Sequence, residues 1–166
     1  MNYSILEIAS ILGVKSDGLT NCTIDTLLTD SRSLTYPETS LFFAIRTNSN
    51  DGHKYVNQLY NNGVRNFVVE EKPQGQYSNS TNFIVVENTT TALQDLAAYH
   101  RQRFNIPVIA ITGSRGKTIV KEWLYQILRD KFNIVRSPRS YNSQIGVPLS
   151  LWGIDDNTEM AIIEAG

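Results

Sequence analysis

Cysteine is almost missing from this chain. Cys22 is the only one, so no disulfide can close within the 166 residues, and a reduced, cytosolic setting is expected. Histidine is nearly as scarce. His53 and His100 lie far apart and have no Cys neighbours, which argues against a structural zinc site. A surplus of either charge is also lacking: 15 Lys and Arg oppose 16 Asp and Glu, for a formal net charge of −1. A surface devoted to nucleic-acid phosphates needs a cation surplus, so that class is excluded, although one focused anion site is not. No stretch approaches the ~18 apolar residues of a membrane span, and membrane insertion is not expected. The N-terminus has no basic region and carries Glu7, so no secretory signal is expected either. What the chain does have is 41% apolar residues, enough for a core, in a length that suits one ordinary domain or two small ones.

Periodicity then divides the chain. Ile5, Ile8, Ala9, Ile11 and Leu12 recur at helical spacing before Gly13. Residues 22–29 predict a strand, 41–45 a buried strand, 53–62 a helix, 66–70 and 83–86 strands, and 90–104 a helix with Leu93, Leu96, Ala97 and His100 inward. After Pro107 the character changes. Residues 108–111 predict a short apolar strand, 112–116 a turn, and 117–131 a helix with Val120, Trp123, Leu124, Ile127 and Leu128 inward. Strands at 133–136 and 160–164 flank a polar loop and a helix starting at Gly146. Strand alternating with helix implies a parallel sheet with crossover helices, an α/β class. The expected division is a small N-terminal α/β domain over 1–104 and the opening of a second, P-loop-type domain over 105–166. A nucleotide-binding parallel sheet normally has more strands than this segment supplies, so the chain is expected to be a piece of a longer protein.

The chemistry concentrates at Val108-Ile-Ala-Ile-Thr-Gly-Ser-Arg-Gly-Lys-Thr118, where a strand feeds a Gly-containing turn that opens a helix. Gly113 and Gly116 let the backbone turn its amides toward an anion beside the positive end of the helix. Lys117 can reach β/γ phosphates and the Thr118 hydroxyl can meet Mg²⁺. The full Walker pattern would place Gly where Ile111 stands. The plain alternative is a glycine turn with a surface lysine. Glu164 ends an apolar strand and is either a Mg²⁺ carboxylate or a solvated strand-end residue. Asp30-Ser31-Arg32 taken alone reads most simply as a strand-ending turn in which Asp caps and Arg is solvated.

Together these residues resemble the Mur ligases, which build the peptide of bacterial peptidoglycan. Thr112-Gly-Ser-Arg-Gly-Lys-Thr118 is similar to their phosphate loop, Asn142-Ser-Gln-Ile-Gly-Val-Pro148 to their Asn-x-x-x-Gly-x-Pro segment, and Ile163-Glu-Ala-Gly166 to their Glu-x-Gly. Thr29-Asp-Ser-Arg32, Leu41-Phe-Phe-Ala44 and Asp51-Gly-His53 resemble the uridine-nucleotide domain of the members adding the third residue or D-alanyl-D-alanine. Ser114 and Lys121-Glu122 resemble the D-alanyl-D-alanine-adding branch, while Arg115 and Ile119 depart from the usual residues.

The resemblance implies a cytoplasmic, ATP-dependent amide-bond ligase acting on a UDP-N-acetylmuramoyl peptide and D-alanyl-D-alanine, with ATP and Mg²⁺. It implies Lys117 as the catalytic cation, and Gly113, Ser114, Arg115, Gly116, Lys117, Thr118 and Asn142 around ATP. Thr118 and Glu164 would meet the metal, and Ser31, Arg32, Ala44 and Ile45 the uridine nucleotide. Cys22 and His100 are expected to be structural. The third-residue-adding ligase, another P-loop phosphotransferase and a non-catalytic nucleotide-binding module remain as alternatives.

Overall fold

Ser4 starts the first helix by capping it. Its hydroxyl accepts the Glu7 N–H at 3.1 Å, which satisfies one of the amides a helix start leaves free. The computed structural model describes residues 2–166. The chain divides into two compact units, the first ending at Leu96 and the second running Ala97–Gly166.

In the first unit, β1 (Tyr3–Ser4) leads into α1 (Ile5–Ile11) and pairs antiparallel with β2 (Thr23–Ile24). The main sheet is parallel, in the order β3 (Thr26–Leu28), β4 (Ser40–Phe43), β5 (Asn66–Val69), β6 (Asn82–Val85). The two central strands are buried along their whole length, as central strands of a parallel sheet covered on both faces should be. Leu28, Phe42 and Phe67 of the sheet pack with Val56 and Leu59 of α2 (Val56–Asn61). Burying each such side chain contributes about 1.5–3 kcal/mol before entropy is counted. At the amino ends of the strands, Asn82 donates to Asn66 Oδ1 at 2.7 Å and to Thr20 O at 2.9 Å. Cys22 donates to the same Asn66 oxygen at 3.1 Å, so it is structural, as expected.

Two elements differ from the sequence expectation. The single strand expected over 22–29 is two short ones, β2 and β3, in different sheets. The N–H groups of Asp25 and Thr26 both turn to the carbonyl of Thr39, and two successive amides cannot serve one acceptor without a kink. The helix expected over 53–62 begins as a 3₁₀ turn (Gly52–Tyr55) before α2.

α3 (Thr89–Gln102) carries the chain from one unit to the next, with Leu93, Leu96, Ala97 and His100 buried as expected. His100 Nε2 bonds Ile154 O at 2.7 Å, which fixes it as structural. The second unit holds β7 (Val108–Ile111), α4 (Lys117–Leu128), β8 (Ile134–Arg136), α5 (Gly146–Trp152) and β9 (Met160–Glu164). Its sheet is parallel in the order β7-β9-β8, so the last strand in sequence lies in the middle. Both sheets bear out the α/β reading.

The orientation of α4 corrects the sequence expectation. Val120, Trp123 and Ile127, expected inward, are exposed, Trp123 at 64% and Ile127 at 70%. The buried residue is Lys121, and Leu124, Tyr125 and Leu128 are half-buried on its side. A lysine wins the inner position because a carboxylate and a backbone carbonyl wait for it there.

The segment after β4 is pinned to the sheet edge. Asp51 accepts from the His53 N–H at 3.0 Å, the His53 ring at 2.7 Å and Arg46 Nε at 3.0 Å. Burial works against the Asp51 carboxylate, but these donors outweigh it and hold its pKa at about 2, against an ordinary 3.8. A depressed carboxylate stabilises the fold above its unfolded pKa, and that contribution is lost as pH falls through the folded one. Melting temperatures followed from about pH 5 to about pH 2 should therefore drop, and Asp51→Asn should drop less steeply. Parallel profiles for the two proteins would refute this role.

Candidate functional site

The three strands of the second sheet deliver their carboxyl ends to one place. Ile111 pairs with Glu164, so the loop after β7 starts level with that glutamate. The segment after β8 begins at Ser137, whose hydroxyl accepts the Glu164 N–H at 3.0 Å. Ligands of open parallel sheets gather at this edge.

Gly113 and Gly116 adopt φ of +139° and +79°, and a side chain at either would meet strain rather than a neighbour. Gly116 is the N-cap of α4 and offers no side-chain acceptor to the amides that follow. Those amides and the helix dipole form a ready anion site. Lys117 Nζ donates to Gly113 O at 2.6 Å, which folds it back over the loop. Ser114 and Arg115 are exposed.

Glu164 is 1% exposed. Thr118 Oγ1 donates to its carboxylate at 3.0 and 3.1 Å, and Asn142 Nδ2 donates at 2.9 Å. Burial pushes the Glu164 pKa up. The Asn142 and Thr118 hydrogen bonds and the Lys121 ammonium push it down further, so the carboxyl stays below its ordinary value and ionised. The solvated strand-end alternative for Glu164 is therefore not what the fold builds. A hydroxyl, a carboxylate and an amide oxygen are hard donors that suit Mg²⁺. That ion usually takes one or two carboxylates and completes its shell with waters and substrate phosphates. Among the described residues no three His, Cys, Asp or Glu side chains form a self-contained metal cage.

In the first unit, Leu28 pairs with Phe42, so Ser31–Arg32 and Ala44–Ile45 leave the carboxyl ends of adjacent strands. Asp30 caps the turn through the Arg32 N–H at 3.0 Å and grips the Arg32 guanidinium at 2.7–3.2 Å. Ala44 and Ile45 are buried, and Gly52 N–H donates to Ile45 O at 2.8 Å. A Cβ on Gly52 would lie 2.7 Å from that backbone. Arg46 binds Asp51, Glu70 and Glu71, each at 3.0 Å. The Glu70 N–H donates to His53 Nε2 at 2.9 Å. A backbone amide can only donate, so the ring proton sits on Nδ1, facing Asp51.

Sequence reasoning did not give functional weight to three residues here. Ser140 lies 3.5 Å from the Thr118 hydroxyl. Lys121 sits one helical turn after Thr118, a spacing that could have revealed it. Arg46 carried no motif of its own.

Residues 111–166 match the Mur ligase middle domain. The chain is 38% identical to the UDP-N-acetylmuramoyl-tripeptide–D-alanyl-D-alanine ligase of Synechocystis over 141 residues, covering 85% of this chain and 30% of that protein. It is 34% identical to the Haemophilus influenzae protein of the same name over 170 residues, covering all of this chain and 36% of that one. A crystal structure of MurF from Acinetobacter baumannii superposes with a TM-score of 0.90 at 28% identity, over 100% of this chain and 36% of that one. MurF ligase from Thermotoga maritima in complex with ADP superposes at 0.70 and 27% identity, over 84% of this chain and 31% of that one. The chain thus spans about a third of the length of the curated relatives it matches. With the glycine turn, the capped-by-nothing helix start and the buried Glu164 all inside the matched segment, the chain belongs to the Mur ligase family.

Proposed function

We propose that this chain carries the uridine-nucleotide part and the opening of the ATP-binding part of a cytoplasmic ligase that joins D-alanyl-D-alanine to a UDP-N-acetylmuramoyl tripeptide. The observation that supports it most is the meeting of Lys117, Thr118, Asn142 and Glu164 around one glycine turn. The names of the relatives supply the substrates. No helix among the described residues is long and apolar enough to cross a membrane, and a reaction that draws on ATP suits the cytoplasm.

In this reading, the terminal carboxylate of the tripeptide takes the γ-phosphoryl group of ATP, releasing ADP. The dipeptide amine then attacks the acyl carbon, loses a proton, and phosphate leaves. Phosphoryl transfer asks the protein mainly for positioning and charge compensation. Lys117 would leave Gly113 O for the phosphates, and the α4 amides would hold the β-phosphate side. Bound Mg²⁺ would supply charge neutralisation, held by Thr118 and Glu164. Asn142 would keep the Glu164 carboxylate oriented. Arg32 would meet the diphosphate of the uridine nucleotide, with Ser31 beside it and the backbone of Ala44 and Ile45 forming the pocket floor. The proposed domains are those of the sequence, 1–104 and 105–166.

Three outcomes check this. Lys117→Ala in the complete gene product should lower kcat by about 10²–10³ in a steady-state ligation assay, the usual loss for a preorganised charge contact. Near-normal turnover would instead favour a non-catalytic nucleotide module. Arg32→Ala should raise KM for the UDP-peptide about tenfold at similar kcat; an unchanged KM would remove Arg32 from the site. The 166-residue chain assayed alone should form no amide, since its relatives keep about two thirds of their length outside the matched part. Product at ordinary rates would contradict this.

A further inference from the structure

We propose that Lys121 is a positioning residue of this site: it pins residues 139–142 so that Ser140 and Asn142 stand in register with Thr118 and Glu164. The proposal rests on the reading above that the site takes a Mg²⁺–nucleotide.

Lys121 has no exposed surface. An ammonium has three donors and no acceptor, and burial obliges it to use them. Here its Nζ donates to the carbonyl of Arg139, and lies 3.5 Å from both Glu164 Oε2 and Glu122 Oε1. Glu122 in turn pairs with Arg136, whose guanidinium lies over the Tyr125 ring. The ammonium therefore faces two carboxylates and one backbone carbonyl, and only the carbonyl belongs to a loop.

That carbonyl is unusual. Arg139 has φ +50°, the one positive φ outside glycine among the described residues. A side-chain-bearing residue held in the left-handed region needs the surrounding structure to hold it there. The Lys121 bond does so, and it turns the next residues toward the site. Ser140 Oγ comes to 3.5 Å from Thr118 Oγ1, and Asn142 Nδ2 to 2.9 Å from Glu164 Oε1. The far end of the segment is fixed separately. Gly166 N–H donates to Asn142 O at 2.9 Å, and a Cβ on Gly146 would lie 2.8 Å from the Tyr141 backbone. Lys121 is the side-chain hold on the near end. Because it follows Thr118 by one helical turn, one face of α4 sends a hydroxyl and an ammonium to the same carboxylate.

The test uses the complete gene product, with ADP titrated calorimetrically with and without Mg²⁺, and amide hydrogen exchange followed over residues 139–142. Lys121→Met, neutral and similar in length, should keep the metal-free ADP affinity while losing about tenfold of the Mg²⁺ enhancement, the scale expected when a partner of a metal ligand is removed. Exchange over 139–142 should quicken. Lys121→Gln, which still offers a donor to Arg139 O, should keep most of the enhancement and the slow exchange. Retention of the full Mg²⁺ effect in Lys121→Met would overturn the proposal. So would an equal loss of both affinities, which marks a merely structural residue, or a Gln variant as impaired as Met. If Lys121→Met does not fold, the Gln variant and its exchange pattern decide. Wild-type protein that binds ADP in neither condition would sink the nucleotide reading instead, and exchange over 139–142 would still judge the pin.

Discussion

The second unit is organised around one buried negative charge. A carboxylate withdrawn from water must be compensated by hydrogen bonds and an opposite charge, or it protonates. Glu164 receives a hydroxyl from α4, an amide from the loop after β8 and a nearby ammonium, also from α4. The donors come from two stretches of sequence, α4 and the loop after β8, which the sheet brings to one carboxylate. β9 closes the arrangement, because it alone is hydrogen-bonded to both neighbours. The glycine turn is built by residues 112–116, but it acquires its carboxylate only when the chain has returned to residue 164.

The first unit applies the same edge of a parallel sheet to different chemistry. Its strands end in a turn gripped by Asp30 and in a hairpin held by Arg46, Asp51 and His53. There the charges are largely solvent-facing: Asp30 pairs with Arg32, while Arg46 meets three carboxylates. The hairpin is rigid for steric as well as electrostatic reasons, since Gly52 presses where no side chain fits. Ala44 and Ile45 are thereby presented as backbone, with their side chains spent on the core. A nucleotide base read at that edge would be read by peptide groups, not by those side chains.

Much of this was legible in the sequence where local rules act alone. Apolar runs such as Leu41–Phe43 and Val68–Val69 became central strands, and Gly113 and Gly116 form the expected turn before a helix, both at positive φ. The reading failed where a distant partner decides. A helical wheel of α4 turns Trp123 and Ile127 inward and leaves Lys121 in water, because periodicity knows hydrophobicity and nothing of a carboxylate 43 residues away. The result is an apolar stripe of Ile119, Val120, Trp123 and Ile127 on the outside of the helix. Strand 22–29 broke at Asp25 for a similar reason, the Thr39 carbonyl being invisible from either side of it.

The turn at Asp30-Ser31-Arg32 shows how a plain local reading and a functional one coexist in the same atoms. Asp30 caps the turn and Arg32 is 87% exposed, which is the capping turn that residue preferences alone suggest. The same pair stores a guanidinium in a defined place at the carboxyl edge of the sheet. Its hydrogen bonds hold the Asp30 carboxyl at about 2, so the pair stays ionised at neutral pH. An ion pair this exposed to water holds its partners only weakly. A diphosphate carries more charge and a geometry that a guanidinium matches in bidentate fashion, so redirecting Arg32 from Asp30 to such a ligand costs little. In the proposed function, Asp30 would keep Arg32 near the edge in the free state and would release it easily to the ligand.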